Sequence, residues 1–468
     1  MNKETSTLRS LANIIIRAVD SMERAYVQAA LPLPSLDKFY DPGEHAEALA
    51  QDPQVVAASK NLVAACAQIS ATVWNPRRVV INHAHAYQIS SCLHAVSDFN
   101  VVEVLREAGE NGASVNDIGE KIGVDSGLIE RILRLLATHH IFREVSPGVF
   151  ANNRISSTLD KGKPSCELFK NRETRFVGSS GIAAFAEHTA DMGGKSAQYL
   201  AGSLRTPGLL PFNLGYDTKE PIFEWMERPE SSYHVNRFAV AMPGTAAMEP
   251  EDLIFRGFDW SALACESVIV DVGGGIGHVS LTVAKKYPHI RVVNQDFASP
   301  IQISKAHWKE CFPEHLDQRM VEFQVHDFFN PQPVKNAAVF LLRHIMHDWP
   351  DDKAVVILRN LREAAQQETH LVVIEKVVPF ASTRTPDDSK MCPIRGAKPP
   401  VAEAPLLPNW GAAAADIYLY DLTMHALLGG IERTAQGFYE LFAKAGWKLI
   451  EIHQSAGTQM SHIVGVPA

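Results

Sequence analysis

Apolar positions change their period along the chain, and the changes divide it. In residues 1–75, Leu8, Leu11, Ile14, Ile15 and Val19 recur at roughly helical spacing, and the stretch "LPLPSLDKFYDPG" interrupts the pattern. Amphipathic helices flanking an irregular link are expected there. From Ile81 to Phe150, "SSCLHAVSDFNVVEVLREAG" reads as one helix, and "SVNDIGEKIGVDSGLIERILRLLATHHI" as two more joined by a turn at Gly123 to Gly127. "FREVSPGVFAN" follows, two short strands around Pro147-Gly148, which completes a winged-helix pattern. Residues 166–250 read as mostly helical and rich in aromatics (Phe212, Tyr216, Phe223, Trp225, Tyr233, Phe238), residues that suit a plain core or an acceptor pocket. From about residue 251 the period shortens. "SVIVDVGGG", "IRVVNQDF", "MVEFQVHDFF", "AAVFLLRHIM" and "THLVVIEKVVP" are short β-rich runs separated by helical stretches, and "WKLIEIHQ" and "SHIVGVPA" close the chain. Strands alternating with helices predict an α/β unit with a doubly wound parallel sheet. Residues 380–414, rich in Pro and Ala and without period, read as a mobile surface insertion.

Composition narrows the class. The chain has 468 residues, 46% hydrophobic and 21% charged, enough for two or three domains with a substantial core. A formal net charge of −9 argues against a nucleic-acid binder. The would-be recognition helix agrees, because it offers Arg131 and Arg134 beside Glu130 among many leucines, so packing or dimerisation is expected of the winged helix. No apolar run near the N-terminus suits a secretory signal or a membrane span. The six cysteines (Cys66, Cys92, Cys166, Cys265, Cys311, Cys392) are scattered with no CxxC pair, which fits a reducing, cytoplasmic location.

The first strand of the α/β unit runs into "DVGGGIG". Gly273, Gly274, Gly275 and Gly277 permit positive φ and a close approach of backbone to ligand, at the strand ends where open sheets bind. The dinucleotide pattern G-x-G-x-x-G would need glycine at position 278, which is His278, so a nicotinamide cofactor is disfavoured. Asp296, which ends the next strand, is placed to accept hydrogen bonds from a ribose diol, although it could equally cap a turn.

"DVGGGIG", "NQDF", "VHDFF", "LLRHIMHDWPDD", "VVIEKVVP" and "GGIERTAQGFYELFAKAGW" occur in the order found in class I S-adenosylmethionine-dependent O-methyltransferases. The chain resembles the caffeate/catechol-type plant and fungal small-molecule enzymes over about residues 80–468. The resemblance implies a Rossmann-like sheet of seven strands in residues 251–468, an all-helical and winged-helix dimerisation domain in 1–165, and a connector in 166–250 that contributes to the acceptor pocket. It implies S-adenosyl-L-methionine as cofactor, with the Gly273–Gly277 loop at its methionine part, Asp296 at the ribose, and Asp327 and Phe328 flanking the adenine. Arg343 stands near the cofactor where the family often has lysine. Met242 and Met424 resemble methionines that sandwich an aromatic acceptor, and either could instead fill core. A homodimer through the N-terminal domain is implied, with no nucleic-acid or membrane partner.

Methyl transfer needs a nucleophilic acceptor oxygen. A phenol of pKa about 10 is ionised in about one molecule per thousand at neutral pH, so a nearby base of near-neutral pKa gains about 10²–10⁴-fold. His347, just past a strand end, is the candidate base, and Glu375 or Glu432 could accept its Nδ1–H and steady the imidazolium. The resemblance gives all three positions these catalytic roles. Asp348 would help position the acceptor. His344 and His347 with Asp348, or His326 with Asp327, make no recognised metal spacing, and no metal is expected. The acceptor is expected to be a small aromatic or enolic hydroxyl compound. Two other readings follow from the same residues: a relative that uses the bound cofactor for dehydration or pericyclic chemistry without transferring methyl, and a non-catalytic winged-helix regulator with a ligand-sensing domain.

Overall fold

The computed structural model describes residues 6–246, 248–383 and 394–468. They form two compact units that divide at Glu249/Pro250, so the helical segment 166–249 belongs to the first.

The first unit opens with two long helices, Thr7–Gln28 and Pro53–Val73, which bury Leu11, Ile14, Val55 and Ala58. Each is capped by its own sequence: Ser6 accepts from the Arg9 N–H, and Asp52, before Pro53, accepts from Gln54. The expected single helix over "SSCLHAVSDFNVVEVLREAG" is in fact two, Tyr87–Asp98 and Val101–Ala108. Asn100 breaks it at φ 53, a left-handed conformation that Asn tolerates, and the turn redirects Val101, Val102 and Leu105 into the core. Two helices and a short hairpin follow. Helices Val115–Ile122 and Ser126–Thr138 meet at Gly123, and β2 (Arg143–Ser146) pairs with β3 (Val149–Ala151). A two-residue strand too short to leave a period, β1 (Ala113–Ser114), completes the sheet in the order β1-β3-β2. In helix Ser126–Thr138, Ile129, Leu133 and Leu136 are buried and Arg134 is paired with Glu130. Further along, Glu187 holds two fully buried guanidiniums, Arg175 at 2.6 Å and Arg237 at 3.0 Å.

The second unit is built on seven strands: β4 (Val268–Val272), β5 (Arg291–Asp296), β6 (Val321–Val325), β7 (Ala337–Arg343), β8 (His370–Lys376), β9 (Trp447–Gln454) and β10 (Met460–Pro467). Their order is β6-β5-β4-β7-β8-β10-β9, parallel from β6 to β8, with β10 antiparallel to both neighbours. Every residue of β4 is buried, which is why its run is apolar on both faces except at Asp271 rather than alternating. Connections from β4 lead first to β5 and β6 on one side and then to β7 and β8 on the other. The switch of direction opens a crevice above the carboxyl ends of β4 and β7, where such sheets bind ligands.

The reading of residues 380–414 as a surface insertion is corrected for the part described. Residues 384–393 lie outside the described residues. Beyond them, Ile394 and Ala397 are buried in the core beside Ile452, and the Ile452 N–H donates to the Arg395 carbonyl at 2.8 Å, so the segment adds a bridge to the edge strand β9. Among the described residues no helix is long and apolar enough to cross a membrane.

Candidate active site

The turn after β4 packs so tightly that glycine is required. A Cβ on Gly274 would lie 2.1 Å from Asn294 Oδ1, and one on Gly273 would meet Ile345 at 2.5 Å. Gly273, Gly275 and Gly277 have φ of 68, 58 and 73°, and the space above Gly275 is open. Asp296, at the tip of β5, receives the Gly275 N–H at 2.8 Å and the Phe297 N–H at 2.7 Å. It therefore braces the glycine loop as well as ending its strand. Burial raises its pKa, while those two N–H groups oppose the shift. Phe297 beside it is 60% exposed, an aromatic face at the crevice that periodicity did not single out. An open loop of backbone, a carboxylate and an exposed ring fit the methionine, ribose and base of an adenosyl cofactor.

The other cofactor candidates fall nearby in the same unit. Asp327 accepts the Phe329 N–H at 3.0 Å, and the Phe328 ring packs edge-on to Phe329 and Trp349 at 5.1 and 6.0 Å. Arg343, at the end of β7, lies 3.3 Å from His278 Nε2 and so joins that strand to the helix behind the glycine loop. Burial and the guanidinium lower the pKa of His278 to about 4, leaving a neutral ring that can accept from Arg343.

His347 sits in a short turn, Met346–Asp348, immediately after β7. Its Nδ1 is 2.8 Å from Glu432 Oε1 and 3.9 Å from Glu375 Oε2, so of the two proposed partners Glu432 takes the Nδ1–H. Glu375 has a second task. Its Oε1 accepts the Ile345 and Met346 N–H groups at 2.8 and 2.9 Å and fixes the turn to β8. The Nε2 side faces Asp348 Oδ1 at 3.5 Å. Both glutamates are buried, each with a second oxygen lacking a hydrogen-bond partner among the described residues.

The charge balance corrects the expectation of a near-neutral base. Burial disfavours the imidazolium, but Glu375, Asp348 and Glu432 outweigh it and raise the His347 pKa to about 10. Burial raises Asp348 to about 6, against the attraction of His347. Glu375 is likewise pushed up by burial and by its carboxylate neighbours.

His344, with φ 55, places its ring 5.2 Å from that of His347. Burial and the surrounding bases, His347, Arg343, Lys376 and His278, hold it well below its ordinary pKa and therefore neutral. One donor atom each from His344, His347 and Glu375 lies within 4.8 Å of the others, but the Nδ1 of His347 is engaged by Glu432.

Comparisons with known proteins agree with this geometry. Residues 210–397 match the model of the O-methyltransferase domain and residues 81–162 that of the O-methyltransferase dimerisation domain. An O-methyltransferase of Armillaria gallica is 37% identical over 99% of both chains. The chain belongs to the S-adenosylmethionine-dependent O-methyltransferase family. A 4-O-methyltransferase of Phanerochaete chrysosporium is 36% identical over 99% of this enzyme and 100% of that one. Among solved structures, mitomycin 7-O-methyltransferase covers 84% of the methyltransferase at 22% identity with a TM-score of 0.63, and LepI, bound to SAH and a substrate analogue, covers 90% at 21% with 0.65. At those identities the likeness concerns the fold.

Three residues that hold the base went unread in the methyltransferase sequence. The Gly429-Gly430 pair is one signal that was present: a Cβ on Gly430 would lie 2.0 Å from the His347 carbonyl, which accepts the Ile431 N–H at 2.8 Å. Arg433 is buried and donates to the Met346 and Trp349 carbonyls at 2.6 and 2.7 Å, on both sides of His347. Asp421 receives the Glu432 N–H at 2.9 Å. Met424 lies half-buried on the same helix as Asp421, Asp416–Leu428, whereas Met242 packs against the core of the first unit.

Proposed function

We propose that this O-methyltransferase moves the methyl of S-adenosylmethionine to a phenolic or enolic hydroxyl of a small specialised metabolite, with His347 as the proton acceptor. The observation that carries the reading is the 2.8 Å contact of His347 Nδ1 with Glu432, which leaves Nε2 to meet the hydroxyl. Gly273, Gly274, Gly275, Gly277 and Asp296 hold the cofactor, with Asp327, Phe328 and Arg343 around it. Bound there, the cofactor supplies an electrophilic methyl on a sulfonium. Met424 and Asp348 are assigned to the acceptor, and no metal enters the reaction.

The raised pKa of His347 suits this acceptor class. An imidazole of pKa about 10 matches a phenol of about 10, so the proton passes between them with little free-energy change. An aliphatic alcohol, far less acidic, gains little from the same base. Glu432 and Glu375 steady the imidazolium that results. We assign the active form to a homodimer in the cytosol, which the family's dimerisation domain and five free cysteines among the described residues support.

Incubation of the purified enzyme with methyl-labelled cofactor and a panel of phenols, catechols and hydroxy-pyridones tests the reading. Label should enter an oxygen of at least one member and mass should rise by one methyl. A second reading, a pericyclic reaction without methyl transfer, uses the same fold: a solved structure called a pericyclic reaction enzyme covers 91% of this chain at 21% identity with a TM-score of 0.63. Turnover with unchanged mass would establish that reading instead.

A further inference from the structure

Strand β5 buries two consecutive primary amides, Asn294 at 0% and Gln295 at 1% exposure, where valine or isoleucine would satisfy a parallel strand. A buried amide is costly unless its hydrogen bonds are made. Both amide NH₂ groups make theirs, and to revealing partners, while Asn294 Oδ1 has no partner among the described residues. Asn294 Nδ2 donates to the Gly275 carbonyl at 3.1 Å and to Ser304 Oγ at 2.9 Å, and Ser304 Oγ donates to the Ile276 carbonyl at 2.9 Å. The glycine loop is thus tied down by its own carbonyls.

The neighbour works on another loop. Gln295 and Gln332 exchange a reciprocal pair, each Nε2 donating to the other's Oε1 at 2.8 Å. Gln295 Nε2 also reaches Gln324 Oε1 on β6, and Gln332 Oε1 also accepts the Val334 N–H at 3.1 Å. Gln332 is 1% exposed and lies in the segment after β6 that carries Asp327 and Phe328. Successive side chains of a strand point to opposite faces, so one dipeptide reaches both loops at once.

We propose that Asn294 and Gln295 are positioning residues for the cofactor, Asn294 setting the glycine loop and the Gln295–Gln332 clasp setting the segment that carries Asp327 and Phe328. The inference rests on the cofactor assignment above. Neither amide touches the reacting atoms. Their effect is to hold two loops in the bound conformation before binding, which lowers the ordering cost of association.

Calorimetric titration of folded variants with S-adenosylhomocysteine tests this. Gln332→Met should weaken binding about tenfold, the worth of roughly one net hydrogen bond. Adding Gln295→Met should change little more, because both belong to one clasp, whereas Asn294→Ser should multiply the loss independently. The cofactor KM should rise in step while kcat at saturating cofactor stays within about twofold, a split that general loss of folded protein does not produce. Hydrogen exchange over residues 326–334 should quicken in the Gln332 variant. If Gln332→Met fails to fold, Gln332→Glu, which keeps an acceptor for Gln295 but loses the donor, should show the same loss. Unchanged affinity in folded Gln332 and Asn294 variants would overturn the proposal. Failure of the wild-type enzyme to bind the compound at all would instead remove the cofactor assignment beneath it.

Discussion

His347 is surrounded by more negative charge than one imidazole neutralises, and that imbalance sets its pH behaviour. At neutral pH a group with a pKa near 10 is protonated, so only the small neutral fraction can take a proton. That fraction grows about tenfold per pH unit until the pKa is passed. The acceptor kcat/KM should therefore climb with pH through the neutral range and level off on the alkaline side, measured by initial rates from pH 6 to 10. Glu432→Gln removes one carboxylate charge while its amide oxygen can still accept the Nδ1–H, so the inflection should move toward lower pH and kcat should fall. An unmoved inflection would show that Glu432 does not set the charge state. His347→Ala should lower kcat by about 10²–10⁴-fold while calorimetry shows S-adenosylhomocysteine binding unchanged. Near-normal turnover in that variant would end the base assignment. His347 and both glutamates were legible as candidates because each closes or follows a recognisable run. The pKa was not, since three carboxylates from separate elements meet only in the folded chain.

At the scale of elements, the segment Gly429–Arg433 serves as the back wall of the base. Gly430 lies against the His347 carbonyl, and Arg433 bonds the carbonyls of Met346 and Trp349. Gly430→Ala must push that wall away from a backbone contact at 2.0 Å, which no side-chain rotation relieves. A displacement near 1 Å is enough to cost about 10²-fold in rate, so kcat should drop by that order while cofactor affinity, measured by calorimetry, holds. The seven strands were legible because burial on both faces makes the central ones mostly apolar runs, broken by Asp271 in β4 and by the Asn294-Gln295 pair in β5. What escaped depended on contacts distant in sequence. Asn100 splits a helix whose period runs on across it, β1 is two residues long, and Ile394 and Ala397 fill core from within a stretch rich in Pro and Ala.

At the scale of the molecule, the first unit carries a helix with exposed apolar side chains. Helix Pro76–His85 buries none of its residues, and Trp74, Val80, Ile81 and Tyr87 are 55, 68, 55 and 56% exposed. Exposed apolar groups close together along the chain suit an association surface, and the dimerisation-domain match begins at residue 81, within this helix. A second copy of the chain is the partner that the family's architecture calls for, and an isologous contact would set this face against itself. Light scattering should accordingly give about twice the chain mass of 51.5 kDa. Val80→Glu with Ile81→Glu places charges where the two copies would meet, and burying an unpaired charge is strongly unfavourable. That variant should run near the single-chain mass with its far-ultraviolet dichroism unchanged, because neither side chain supports the core of its own unit. A dimer that survives both glutamates would move the interface to another face of residues 81–162.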